Sequence, residues 1–238
     1  MNENQQAINA MRAVTISREY GSGGGEIAAR LARRLGWQLI DHQIVAQAAS
    51  ELGVHETVVQ AHDEHVGGVI SRIFQWPYPT SPEDAQAYYG MLRRVVLEAA
   101  NTGHVVIVGR GGQALLADRR DVLHVRVVAP LEQRVAYVVL REGLDPGAAR
   151  TRVQEKDSAR IRYLQTQFQC QPDDPHLYDL AINTSILDLD RIVDLICQAL
   201  EGKASRISVP LEELGPAAGL SRYPGQPADS PVSPQPSI

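Results

Sequence analysis

Cysteine is scarce: the 238-residue chain carries only Cys170 and Cys197, whose separation fits neither a metal knuckle nor a disulfide framework. They read as ordinary thiols of a reducing compartment. Long apolar runs are missing too, since no stretch approaches the ~20 residues that a membrane-spanning helix needs. Residues 1–12 are polar and lack the apolar core of a secretory signal. The expected location is therefore the cytoplasm, with no membrane partner. Basic excess is lacking as well. Lys+Arg total 23 against 28 Asp+Glu, a net charge of −5, which excludes a general binder of nucleic-acid polymers. No Ser/His/Asp or Cys/His arrangement stands out for covalent catalysis, and no internal repeat is visible. His62-Asp63-Glu64-His65, with His55 nearby, lacks the spacing of a His-Glu-x-x-His zinc helix. It reads as an exposed polar face, and no metal site is expected there.

What remains suits one globular domain with room for a small inserted subdomain: 44% hydrophobic and 21% charged residues. The chain is organised around residues 14–35. An apolar run short enough for one strand, Val14-Thr15-Ile16, leads through Ser17-Arg18-Glu19-Tyr20 into Gly21-Ser22-Gly23-Gly24-Gly25. Apolar residues at helical spacing follow, at Ile27, Leu31 and Leu35. Strand, glycine turn and helix together present unpaired backbone N–H groups and a positive dipole end to an anion. Glycine suits such a turn because it reaches positive φ and lets backbone approach a ligand. The usual phosphate loop ends in Gly-Lys-Ser or Gly-Lys-Thr. Aligned on its glycine turn, this chain has Gly24 at the lysine position and Gly25 at the hydroxyl position.

Further along, Trp37 to Asp41 reads as a second strand that delivers Asp41 at its carboxyl end, the edge where open α/β sheets bind ligands. Helical patterns cover residues 43–52 and 55–66, and residues 67–80 form an irregular segment. Ser81-Pro82-Glu83-Asp84 carries the cap and acidic first turn of a long helix that Gly103 closes. His104-Val105-Val106-Ile107-Val108 is a strand buried on both faces, leading into Gly109-Arg110-Gly111-Gly112. A strand over 121–128, a helix over 131–141, a helix from Asp145-Pro146 to Phe168, a strand over 180–183 and an amphipathic helix over 188–200 complete the pattern. Alternating strands and helices imply a parallel sheet of about five strands with right-handed crossovers and helices on both faces. After Gly202, prolines recur among Ser, Gly and Ala without apolar periodicity, so residues 203–238 are expected to be a disordered tail. A tail docked on the domain is the alternative.

Two features have two readings each. Arg110 is either a surface arginine in a loop or a fork for a phosphate at the end of a central strand. The run Arg150, Arg152, Lys156, Arg160 and Arg162, broken by Glu155 and Asp157, is either a solvated face laced by i,i+4 pairs or a cationic lid over a polyphosphate.

At these residues the chain resembles the cytidylate-kinase-like family, a branch of the nucleoside monophosphate kinases with the P-loop fold. The resemblance rests on Ile16-Ser17-Arg18-Glu19-Tyr20-Gly21-Ser22-Gly23-Gly24 with Glu26-Ile27-Ala28, on Leu39-Ile40-Asp41, and on Val106-Ile107-Val108-Gly109-Arg110-Gly111. Lys156-Asp157 through Arg160 to Tyr163, and Tyr178-Asp179-Leu180-Ala181-Ile182-Asn183-Thr184-Ser185, add to it. In order and spacing these cover roughly residues 13 to 200. The resemblance implies a three-layer P-loop kinase domain over 13–202, after a flexible leader over 1–12. Within it, 43–103 would be the acceptor-binding segment and 145–168 the lid. It further implies phosphoryl transfer from ATP, with Mg²⁺, to a nucleoside monophosphate, CMP or dCMP. By the same resemblance Gly21, Ser22, Gly23, Gly24 and Gly25 would wrap the donor phosphates, while Asp41, Arg110 and Arg134 would face the acceptor. Asp157 and Arg162 would belong to the lid. With no loop lysine, Arg18, Lys156 and Arg160 are the candidate catalytic cations.

Three positions depart from the family pattern. Related sequences commonly carry arginine where this chain has Gly25, cytidylate kinases carry arginine where it has Gln47, and they read Gly-Arg-Asp where it has Gly109-Arg110-Gly111. Two other expectations therefore stand beside the kinase: a nucleotide-binding pseudo-kinase that serves a partner, and a small-molecule kinase with a non-nucleotide acceptor.

Overall fold

The computed structural model describes residues 8–41 and 82–215. The helices expected over 43–52 and 55–66, the irregular segment 67–80, the 62–65 histidine pair and Gln47 lie outside those residues, as do 1–7 and 216–238.

Five parallel strands form one sheet in the order β2-β3-β1-β4-β5: β1 (Ala13–Arg18), β2 (Gln38–Ile40), β3 (Val105–Val108), β4 (Val122–Val128) and β5 (Leu180–Asn183). Six helices of the described residues connect them: α1 (Gly24–Leu35), α2 (Pro82–Thr102), the short α3 (Gly112–Leu115), α4 (Leu131–Glu142), α5 (Pro146–Phe168) and α6 (Leu189–Ala204). Alternation along the strands decides which helix packs where. Val14, Ile16, Leu123, Val125 and Val127 face the layer made by Ile27 and Leu31 of α1 and Ile192, Ile196 and Leu200 of α6. On the other face Ala13, Val105, Ile107 and Val122 pack against Leu92 and Val96 of α2. Each of these fully buried Leu, Ile or Val side chains contributes about 1.5–3 kcal/mol of apolar burial. This is the three-layer α/β architecture of the P-loop kinases.

Helix ends follow their local chemistry. Gly36 leaves α1 at φ 68° and donates its N–H to the carbonyls of Ala32 and Arg33. Asp145 caps α5, accepting the N–H groups of Gly147 and Ala148, with Pro146 in the first turn. Helix α5 differs from the rest because only Ala149, Val153 and Leu164 of its 23 residues are buried. Its first half packs on α4 through Val135, Val138, Ala149 and Val153, and the remainder lies over the carboxyl edge of the sheet.

Two boundaries move. Of the leader expected to be flexible over 1–12, Ile8 and Met11 are buried in the main core. The tail does not begin at 203 either. Helix α6 runs to the buried Ala204, Ile207 packs on the same core, and Arg120 donates to the carbonyls of Arg206 and Val209. These few apolar side chains offset the ordering cost that the proline-rich composition suggested.

Candidate functional site

Both glycine turns leave central strands at the same edge of the sheet. In the first, Gly21 (φ 82°) and Gly23 (φ 79°) adopt the left-handed conformation and α1 begins immediately after. A Cβ on Gly21 would stand 2.7 Å from the Arg134 carbonyl oxygen, so glycine is required there on two counts. Ser22 is buried and holds the turn, its hydroxyl donating to the Glu19 carbonyl at 2.9 Å and the Val127 carbonyl at 3.3 Å. Thr184 donates to the Ser22 carbonyl at 3.1 Å from the end of β5. Gly25 is exposed, and a Cβ there would meet nothing within 4 Å. No side chain caps α1, so its first N–H groups face outward around a backbone cradle.

The second turn is more constrained. Gly109 (φ 73°), Arg110 (φ 60°) and Gly111 (φ 69°) are left-handed in succession, and Arg110 is buried. A non-glycine residue in that region is strained by about 1 kcal/mol or more, a pattern concentrated at functional sites. Helix α5 closes over this turn. The Tyr163 hydroxyl donates to the Arg110 carbonyl at 3.2 Å, and a Cβ on Gly111 would collide with the Phe168 ring at 2.3 Å.

Against the second turn and the carboxyl end of β1 lies a cavity of about 320 Å³. Arg18, Arg110, Arg126 and Arg160 line it, with the carboxylates of Glu19, Asp157 and Asp173 and with Gln113. Burial, together with the neighbouring Arg160, Arg110 and Arg126 guanidiniums, pushes the Arg18 pKa well below the usual arginine value, against the opposing pull of the Asp41 carboxylate. Arg160 donates to the Arg18 carbonyl at 3.3 Å and lies over the Tyr20 ring at 5.2 Å. Its pKa falls to about 10, chiefly by desolvation. Arg126 donates to the Ser17 hydroxyl at 2.9 Å beside the Tyr178 ring, and Tyr178 donates to the same hydroxyl at 3.2 Å. Positive charge is thus concentrated where solvent is partly excluded. An anion entering here meets fixed donors and relieves their mutual repulsion.

Helix α5 is tied to the first turn by Asp157. Its carboxylate accepts the Tyr20 backbone N–H at 2.7 Å and a second bond from Arg134. Arg134 also donates to the Ala129 carbonyl at 2.9 Å and the Tyr20 carbonyl at 3.2 Å, and lies 3.4 Å from Glu19. Arg134, expected with Asp41 and Arg110 at the acceptor, therefore lies at the first glycine turn and does not line the cavity that Arg110 lines. Arg162 is exposed and does not line the cavity, because two positions past Arg160 a helical side chain points to the other side. Lys156 is half-buried, and desolvation, with the nearby Arg152 and Arg160, lowers its pKa; it does not line the cavity either. Within its own helix the charged run makes the Arg160–Asp157 pair at 3.7 Å, while two further arginines pair outside the helix. Arg150 pairs with Glu132 and Arg152 with Glu142, both across to α4.

Residues 13–186 match the model of the cytidylate kinase-like family. The chain belongs to that family. Relatives include a cytidylate kinase of Ignicoccus hospitalis, 25% identical over 192 residues, covering 80% of this chain and 99% of that one. A cytidylate kinase of Methanopyrus kandleri is 31% identical over 112 residues, 44% of this chain and 58% of the relative. A protein of Corynebacterium glutamicum named uronate isomerase is 33% identical over 110 residues, 46% of this chain and only 21% of the relative. The matched segments thus span about a fifth and somewhat over half of those last two proteins. Among solved structures, an uncharacterized protein from Eubacterium ventriosum superposes with a TM-score of 0.61 at 20% identity, covering 80% of this chain and 99% of that one. A shikimate kinase from Acinetobacter baumannii reaches 0.50 at 14% identity, covering 83% and 97%. Both share the fold of this chain.

Arg126 and Gln113 were not singled out from the sequence, and Tyr178 was quoted only as part of the last strand's segment. The signal for Arg126 was present: a charged residue between Val125 and Val127 on a strand otherwise buried on both faces. Among the described residues no group of three or more His, Cys, Asp or Glu could hold a metal ion, and no helix is long and apolar enough to cross a membrane.

Proposed function

We propose that the protein transfers the γ-phosphoryl group of ATP to a nucleoside monophosphate, with CMP or dCMP as acceptor. The observation that carries this reading is the meeting of Arg18, Arg110, Arg126 and Arg160 in one cavity at the carboxyl ends of β1 and β3. A binding site for one isolated phosphate would not need four guanidiniums. A donor polyphosphate, a transferring group and an acceptor phosphate together would use them. In the reaction an acceptor phosphate oxygen forms the new P–O bond, while the bond to the β-phosphate breaks and leaves its electron pair on ADP. Catalysis is then positioning plus neutralisation, without a covalent intermediate.

The residues present fit a phosphate donor: the Gly21–Gly23 cradle, the open start of α1, and Arg160 above Tyr20. The fit to Mg²⁺ is looser, because Gly25 stands where the loop hydroxyl would ligate the ion. Mg²⁺ would accompany ATP on its own phosphates and water, and would neutralise charge on the β- and γ-oxygens. On the acceptor side, Arg110 and Asp41 are the assigned contacts. The lid role of α5 is supported by Asp157, which joins it to the loop.

A second reading, nucleotide binding without transfer, is favoured by the absence of both the lysine and the hydroxyl at Gly24 and Gly25. An ADP-release assay with ATP and Mg²⁺ against CMP, dCMP, UMP, AMP and GMP separates the two. Turnover with CMP and dCMP supports the kinase. ATP binding without turnover on any acceptor rejects it in favour of the second reading.

A further inference from the structure

The phosphate-loop pattern sets its first glycine six positions before its lysine. With the lysine position at Gly24, that glycine falls at residue 18, where this chain has arginine. The two residues touch. A Cβ on Gly24 would stand 2.7 Å from the Arg18 Cβ and 2.9 Å from its Cγ. The Cβ is fixed by the β1 backbone and cannot swing aside. At the far end, the Arg18 Nη1 would lie 2.0 Å from a Cβ on Gly109. Arg18 therefore occupies a trough with a glycine at each end, its root against the donor loop and its guanidinium at the Arg110 turn.

We propose that Arg18 and Gly24 are a reciprocal exchange of the phosphate loop's glycine and its cation, in which the Arg18 guanidinium does the work of the loop lysine and the glycine at 24 is the space it requires. The inference rests on the kinase reading above. The exchange changes the reach of the charge. Arg18 crosses the sheet edge from the donor loop to Gly109, so its N–H donors stand between the two halves of the site. As the bond from the γ-phosphorus to the β-phosphate oxygen breaks, with its electron pair going to ADP, and the bond to the acceptor oxygen forms, charge on the transferring group meets that guanidinium. The Asp41 carboxylate opposes the downward push that burial and the neighbouring guanidiniums exert on the same group. The exchange also accounts for Gly24 itself, which is buried in a helical first turn where glycine has no conformational advantage.

Three variants test this by steady-state ADP release. Arg18→Gly is expected to lower kcat by about 10²–10³-fold, with a smaller change in the KM for ATP. Gly24→Lys alone should also fail, because its stem competes with that of Arg18. The double variant R18G/G24K restores the common pattern and is expected to recover at least about tenfold over either single change. Full turnover in R18G, or a folded double variant no better than R18G, overturns the exchange. If the double variant does not fold, ethylguanidine added to R18G decides: saturable restoration supports the proposal and none refutes it. Should the unaltered protein transfer to no acceptor, the kinase reading fails on its own. The exchange is then read from affinity for a non-hydrolysable ATP analogue, which must fall in both single variants and return in the double.

Discussion

The turns after β1 and β3 look alike in sequence and differ in how they are built. Both leave a central parallel strand at its carboxyl end and both use left-handed glycines. The first opens a 12-residue helix and keeps side chains out of the way, so that backbone N–H groups form the surface. The second opens only the four-residue α3, buries the Arg110 side chain, and is covered by Tyr163 and Phe168. One turn presents backbone, the other presents a guanidinium. A glycine-rich stretch at a sheet edge therefore does not by itself say what it binds with.

The largest expected effect sharpens that contrast. Arg110→Ala should lower kcat/KM by about 10³-fold, mainly through the acceptor, because the second turn acts through its side chain. Ser22→Ala in the first turn removes only hydroxyl bonds to two carbonyls, so about tenfold or less is expected in the same assay. Equal losses would mean that the two turns are not functionally distinct.

Next come the glycines themselves. Gly111→Ala forces an alanine into the left-handed region and against the Phe168 ring, for about 2–4 kcal/mol of lost stability by urea denaturation. Gly25→Ala meets nothing and replaces glycine within a helix, so it should be neutral or stabilise by up to about 1 kcal/mol. Between these lies Arg134→Ala. It removes a bonded partner from Asp157 and a neighbour from Glu19, and should cost about 2 kcal/mol while increasing hydrogen exchange in α5.

The smallest effect concerns the core beneath the second turn. His124 is buried, with Nδ1 bonded to the Thr15 hydroxyl at 2.8 Å and Nε2 to the Leu116 carbonyl at 3.2 Å, and burial lowers its pKa below the ordinary 6.5. The unfolded chain then binds more protons than the folded one just below pH 6.5. Stability should fall as pH drops through 6.5 and level off below the folded-state pKa. His124→Gln should flatten that segment of a stability–pH curve, and an unchanged slope would assign it to other groups.

Much of this architecture could be read from the residues. The β-branched run at 105–108 and the periodicity of 188–200 identify a buried strand and an amphipathic helix, because those patterns have few alternatives. Asp145-Pro146 marks the start of α5 to the residue. The placement of Arg18 and Arg110 in the cavity follows from their strand ends, whereas Asp41, at the end of β2, does not line it. The site was not legible where tertiary packing decides: Arg134 turns back to the donor loop because Asp157 and the Tyr20 carbonyl claim its donors. Arg162 looked like its neighbour Arg160 until helical phase separated them. Arg126 joins the site through its cross-strand partner Ser17, a pairing that no local pattern displays.

The central claim is that both turns serve one ligand pair. Calorimetric titration with a bisubstrate analogue, adenosine and cytidine joined by five phosphates, tests this most directly. The account predicts binding at least about 10²-fold tighter than ATP, and a return to ATP-like affinity in Arg110→Ala. An analogue that binds no tighter than ATP, or tight binding that survives Arg110→Ala, would contradict it.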